Sequence, residues 1–243
     1  NYEDPGCTYT SVEPVGQTMV GAQLLADIPT DGGPDGGLLE LNEAVPDDYN
    51  ACYNGWDVSG SIPQKGVCIH HPQGDVKKIS TYLSSATSAT WSYNTTVLGA
   101  TNAYWRVIFD QTENGHGIIE RGSSGAPLFN EAGLVAGTLT GGNSSCTYLK
   151  GSNMFGKLSQ HWDQYSKKMN TYLDPLNTGT KTLNGRYANN TEFVDFDALV
   201  TTVNEGDSIK FRNLSYGADT YNWTFEGGSP QVSSDKHPII QYT

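Results

Sequence analysis

Turn-forming residues cut this sequence into apolar runs too short to be helices, and that punctuation limits the fold more than any other feature. An apolar stretch at 20–25 gives way to a Gly/Asp/Pro-rich loop over 30–37, and a second run begins at 38–41. Further short runs at 51–58, 66–71, 76–82, 103–109, 126–129 and 133–140 are separated by turn clusters. With 28 Gly and 14 Tyr among 243 residues, composition favours strands and turns. Many short strands at this spacing predict an all-β barrel or sandwich. The best helical rhythm lies at 156–172, where Leu158, Trp162, Tyr165 and Met169 recur at three- and four-residue steps ahead of Pro175.

Charge narrows the function classes. A total of 14 Lys+Arg against 26 Asp+Glu gives a net charge of -12. That is the wrong sign for neutralising phosphates, so nucleic acid is excluded as a partner. No apolar run nears the roughly 18 residues needed to span a bilayer. Aromatics at 11% and charged residues at 16% also exclude a disordered tail. These features describe a β-rich protein of an extracytoplasmic setting, secreted or at the cell surface.

The four cysteines are Cys7, Cys52, Cys68 and Cys146. They form no Cys-x-x-Cys pair, and no histidine cluster shows zinc-ligand spacing, so neither a metal nor a cofactor is expected. An even count suits disulfides in an oxidising compartment. Cys52 and Cys68 bracket a Gly- and Pro-bearing stretch, and a bridge across that loop would stabilise the protein by about 3 kcal/mol. The chain opens on Asn1-Tyr2-Glu3 without an initiator Met and closes within a strand pattern, which reads as a fragment at both ends. Residues 177–190 are rich in Asn, Thr and Gly and read as a linker. Beyond it, 191–243 reads as a second, small β-sandwich with strands at 208–212 and 220–225.

The stretch with most chemical content is Arg121-Gly122-Ser123-Ser124-Gly125-Ala126-Pro127-Leu128-Phe129. A Gly-x-Ser-Gly-x-Pro turn exposes Ser124, while Gly122 lets the N–H groups of residues 122 and 124 converge. Two such donors stabilise the tetrahedral oxyanion of acyl transfer. The same six residues also fit a plain Gly/Ser turn ahead of an edge strand. The apolar strand and Gly-bounded second strand that follow at once favour the chemical reading.

Segment 121–142 resembles the active-site region of chymotrypsin-fold serine endopeptidases, in particular the bacterial lysyl endopeptidase-like group. Leu38-Leu39-Glu40-Leu41, Asn54-Gly55-Trp56-Asp57 and the long run from Gly66-Val67-Cys68-Ile69-His70-His71-Pro72 to Ser80 carry the same resemblance. It covers most of 1–176. It implies a chymotrypsin-like double β-barrel, its N-terminal barrel incomplete here, that hydrolyses peptide bonds in a protein or peptide substrate. Carried over by position, Ser124 is the nucleophile, Gly122 and Ser124 supply the oxyanion donors, and Asp35 is the acid that orients the base. Without the resemblance, Asp35 is only a turn former in a Gly-rich loop.

In this fold the order along the chain is His, Asp, Ser, yet His70, His71, His116, His161 and His237 all follow Asp35. The resemblance therefore implies a catalytic His upstream of Asn1, with His70 and His71 a structural pair near the site. It also implies that Cys7 and Cys146 pair with cysteines nearer the N-terminus, which leaves Cys52–Cys68 as the bridge. Leu139-Thr140-Gly141 matches the strand that pairs with substrate backbone. Asn153 stands where the group has an acidic residue for a substrate Lys, so Lys specificity is in doubt. Residues 191–243 resemble a polycystic-kidney-disease (PKD) type module without its final strand, on Trp223 and its neighbours. Such a module implies contact with a polymer or cell surface. A non-catalytic protease-fold binding protein and a carbohydrate-binding adhesin remain as alternatives.

Overall fold

The computed structural model describes residues 17–93, 96–113, 115–187, 194, 196–198, 200, 202–213, 215, 218 and 220–242. Cys7 lies outside the described residues. The chain divides into two compact units, Asn1–Tyr49 with Tyr53–Gly185, and Asn50–Cys52 with Arg186–Thr243. The expected all-β class holds in both.

In the first unit, a hairpin pairs β1 (Ala22–Ile28) with β2 (Gly36–Leu41). The main sheet contains β3 (Gly66–His70), β4 (Lys78–Tyr82), β5 (Thr87–Ala89), β6 (Tyr104–Ile108), β7 (Pro127–Phe129), β8 (Val135–Gly142) and β9 (Ser152–Lys157). Their spatial order is β4-β3-β7-β8-β9-β6-β5, all antiparallel. The sheet curls until its far sides meet: Asp110, just past β6, donates its N–H to Thr81 O of β4 at 2.8 Å. The curl encloses a core of Cys68, Tyr82, Trp105, Val107, Leu128, Leu139 and Phe155, drawn from six strands, with Ala86, Phe109 and Ile119. Leu139 and Phe155 sit opposite each other in the β8–β9 register, so one pleat sends both side chains inward.

A second core joins the hairpin to a short helix. Ala26, Ile28, Trp56, Val58, Leu158, Trp162 and Met169 pack together, with the Trp56 and Trp162 rings 4.7 Å apart. The helix expected over 156–172 is corrected here. It is two short helices, α1 (Leu158–Asp163) and α2 (Asn170–Leu173). Gly156 is claimed by the sheet on both sides, by Tyr104 and by Thr138, and Lys157 keeps an extended backbone. Ladder bonding thus overrides the helical rhythm at its start. The run at 51–58 also yields only two-residue strands, Cys52–Tyr53 and Trp56–Asp57. Thr182–Leu183, inside the stretch expected to be a linker, pairs with Trp56–Asp57.

The Cys52–Cys68 disulfide does not form. Cys68 is a free thiol with no exposed surface inside the first core, whereas Cys52 is exposed. The pleat explains the correction: Cys68 is held between Leu128 of β7 and Ser80 of β4, facing the interior. Burial pushes its thiol up to about 12, where it behaves as a small apolar side chain.

The second unit has a four-stranded sheet in which β11 (Ser208–Asn213) and β15 (Ile239–Tyr242) are central, flanked by β10 (Phe196–Ala198) and β13 (Gly228–Ser229). A separate ribbon pairs β12 (Trp223–Thr224) with β14 (Val232–Ser233). Phe196, Phe211, Trp223 and Phe225 form its aromatic cluster, with Trp223 and Phe225 stacked at 5.8 Å.

Candidate active site

The turn ahead of β7 is shaped by two glycines in the left-handed region, Gly122 at φ +93° and Gly125 at φ +84°. Within it the N–H of Ser123 donates to Glu120 O, that of Gly125 to Leu139 O at 2.7 Å, and that of Ala126 to Ser123 O. Among the described residues, the N–H groups of Arg121, Gly122 and Ser124 have no acceptor. Ser124 itself is exposed, while its neighbour Ser123 is buried. A side chain on Gly122 would meet His71 O and Gly74 N at 3.2 Å. The turn is thus packed from below by residues 71–74 and tied to them by Gln73 N–H to Arg121 O at 2.7 Å.

Asp35 lies immediately before β2, at φ +55°. Its carboxylate accepts the Thr30 hydroxyl at 2.8 Å. Its backbone is held from behind by His161 of α1, whose Nε2 lies 3.2 Å from Pro34 O and 3.1 Å from Asp35 O. Carbonyls only accept, so Nε2 carries the proton. His161 is fully buried, and burial pushes its imidazole below the ordinary range, opposed by those carbonyls and by the Asp35 charge. The approach requires small residues: a Cβ on Gly36 would meet His161 Nε2 at 2.7 Å, and one on Gly156 would overlap Pro34 O. Both loops dock on adjoining positions of the sheet. Gly125 bonds Leu139 of β8, and the Asp35 backbone rests on Gly156 of β9, whose partner is Thr138.

Leu139 is 3% exposed and its backbone is spent on Ala126 and Gly125. The free edge of β8 therefore begins at Thr140. Residues 140–142 have β9 on one side and, among the described residues, no strand on the other. Trp91, not singled out in the sequence, lies against Gly141. Asn153 pairs with Gly142 and is fully buried. Ile119 N–H donates to Ser144 Oγ at 3.0 Å, and the Ser144 hydroxyl donates onward to Asn153 Oδ1 at 2.7 Å. That relay occupies the amide oxygen and leaves Asn153 Nδ2 without an acceptor; Thr140 Oγ1 is likewise buried and unpartnered.

None of the five histidines is bonded to the Asp35 carboxylate or to Ser124. His70 Nδ1 lies 2.8 Å from Ser123 Oγ and its Nε2 lies 2.9 Å from Ser80 Oγ. His71 and His116 bond the backbone carbonyls of Asp75 and Gly117, and His237 Nδ1 accepts Asn213 N–H in the second unit. Ser123 and His161 are supports that motif reading missed. Their partners lie 53 and 126 positions away, beyond any local pattern.

Fold and turn together define an antiparallel β-protein with a glycine-bounded serine turn. It belongs to the family of the lysyl endopeptidase C-terminal domain, whose model matches residues 1–156. Among solved structures it is similar to the inactive form of a mutant of Rv3671c from M. tuberculosis H37Rv, at 14% sequence identity and a TM-score of 0.38. That likeness covers 57% of this chain and 60% of the other. No helix among the described residues is long and apolar enough to cross a membrane.

Proposed function

We propose that this chain is the catalytic portion of a secreted serine endopeptidase, with Ser124 as nucleophile. The observation that carries the reading is the uneven bonding of the 120–126 turn. The amides of Ser123, Gly125 and Ala126 are bonded within the fold, whereas those of Gly122 and Ser124, with that of Arg121, stay open beside an exposed hydroxyl. Open amides at a nucleophile are what a developing oxyanion requires. A histidine contributed from outside this sequence takes the Ser124 proton and passes it to the leaving amine, and the Asp35 carboxylate orients that imidazole and stabilises its charged form. An extended substrate adds to the free edge at 140–142. Asn153 stands at the position that the resemblance gives to the substrate side chain, and its amide offers an N–H donor with its oxygen already engaged, so it disfavours an ammonium, which can only donate. Substrates with an acceptor-bearing side chain fit it better than Lys.

The test is reaction of the full-length gene product with a serine-reactive fluorophosphonate, with Ser124→Ala as control. Labelling confined to Ser124 is expected. Absence of labelling in the folded protein would mean that the fold serves binding alone. One observation favours that second reading: within this sequence no imidazole reaches Ser124 or the Asp35 carboxylate.

For residues 191–243 we propose a PKD-like module that contacts a polymer or cell surface. The four-stranded sheet and separate ribbon support this reading. Trp223 is half-buried, with its indole N–H donated to Asp235 O at 2.9 Å. It therefore serves packing more than it offers an open aromatic platform, which weighs against the adhesin alternative.

A further inference from the structure

We infer that His70 is a positioning residue for the oxyanion turn, acting through Ser123. This rests on the serine-endopeptidase reading and adds to it the part that sets the turn's geometry. His70 is 2% exposed and Ser123 and Ser80 are each 1% exposed, so the three form a buried bridge from β4 through β3 to the turn. Ser123 lies between Gly122 and Ser124, whose amides are both open. Its backbone is bonded in both directions, N–H to Glu120 O at 3.1 Å and O from Ala126 N–H at 3.1 Å. Its hydroxyl is a side-chain handle on the turn's interior. A shift of Ser123 would carry Gly122 and Ser124 with it.

The chemistry of the bridge suits a fixed support. A neutral imidazole has one donor and one acceptor nitrogen, and a hydroxyl can serve either. Hydroxyl, imidazole and hydroxyl thus link head to tail with every buried polar atom satisfied. Burial, with the neighbouring His71 charge, pushes the imidazole below its ordinary range, against a smaller opposite pull from Glu120. The ring thus stays neutral at physiological pH. Next to the bridge, Gln73 N–H holds Arg121 O, and the 71–74 turn packs on Gly122. The His-His-Pro-Gln-Gly run becomes a single pedestal for the turn. Misplacing a catalytic group by about 1 Å costs on the order of 10²-fold in rate.

Two amides imitate the two halves of the ring. Asn at position 70 presents a polar atom where Nδ1 faces Ser123, and Gln presents one where Nε2 faces Ser80. In the full-length gene product acting on a peptide ester, His70→Gln should lower kcat about 10²-fold with KM little changed. His70→Asn should restore most of that loss, although both variants lose thermal stability. Ser123→Ala and Ser80→Ala each remove one end of the bridge and keep the test open if a His70 variant fails to fold. Ser123→Ala should cost at least tenfold more in kcat than Ser80→Ala. Losses that track melting temperature, equal for Asn and Gln and equal for the two serines, would overturn the positioning role while leaving Ser124 as nucleophile. A wild-type protein unlabelled at Ser124 would instead overturn the endopeptidase reading, and the inference with it.

Discussion

Replacing Gly122 by Ala puts the Ser124 turn, the proposed oxyanion site, under a measurable strain. At φ +93° an L-residue sits in the left-handed region at a cost of about 1–2 kcal/mol. The added Cβ also meets His71 O and Gly74 N at 3.2 Å. Both are backbone atoms, so neither can swing aside as a side-chain end would. If the turn holds its shape, stability falls by about 1–3 kcal/mol, and each kcal/mol lowers Tm by about 2–4 °C at this size. If the turn rotates to relieve the contact, the Gly122 N–H leaves its place and the rate falls about 10²–10³-fold. Gly125→Ala is the matched control. Its φ is +84°, nothing lies within 4 Å of the added Cβ, and its N–H is already given to Leu139 O. The assay is the second-order rate of fluorophosphonate labelling of the full-length gene product, with a thermal melt on each variant. Both variants should lose stability, and only Gly122→Ala should lose labelling by about two orders of magnitude. Equal labelling rates for the two, with Gly122→Ala destabilised no more than Gly125→Ala, would refute the reasoning.

The buried histidines make stability depend on pH. His70 and His161 are both held below the ordinary range by burial, so below about pH 6.5 the unfolded chain binds more protons than the folded one. Tm should therefore fall as pH drops from 6.5 toward 5, with a shallower slope in His161→Asn; an unchanged slope in that variant would contradict the role of its burial. Among the thiols, exposed Cys146 should react with Ellman's reagent in the folded protein, whereas Cys68, pushed up to about 12, should react only on unfolding. Equal rates for the two would place Cys68 outside the core. Asn153→Asp should raise kcat/KM for substrates with Lys before the scissile bond by about 10–100-fold, the worth of one charge-assisted hydrogen bond, at some loss of stability. No change in preference would remove Asn153 from the proposed recognition of substrate.

Much of the first unit was legible in the sequence because turn residues bound its strands on both sides. The runs at 66–71, 76–82, 103–109, 126–129 and 133–140 correspond to β3, β4, β6, β7 and β8 within a residue or two. β9 was hidden because Ser152–Lys157 runs directly into Leu158 and Trp162, whose spacing is helical, and only pairing with Tyr104 and Thr138 reveals a strand. The Cys52–Cys68 expectation failed for a related reason. Loop length says nothing about which way a strand residue points, and Cys68 points inward. At the site, the Gly122 and Ser124 pattern could be read locally because a tight turn demands it. The supports could not: Ser123 and Asp35 are held by histidines 53 and 126 positions away, and only the tertiary packing of sheet and α1 brings them together.

The placement of β7 links folding to reactivity. This three-residue strand is the direct continuation of the Ser124 turn, and it lies between β3 and β8. Its pairing of Phe129 with Val67 joins parts of the chain that must close a long loop first, a slow kind of step for a β-topology. Until β7 inserts, Gly125 has no Leu139 carbonyl to bond and His70 has no Ser123. The proposed nucleophile thus gains its setting only as the sheet is completed. A partly folded chain would be chemically quiet toward its neighbours, and the appearance of labelling at Ser124 would time the last step of folding.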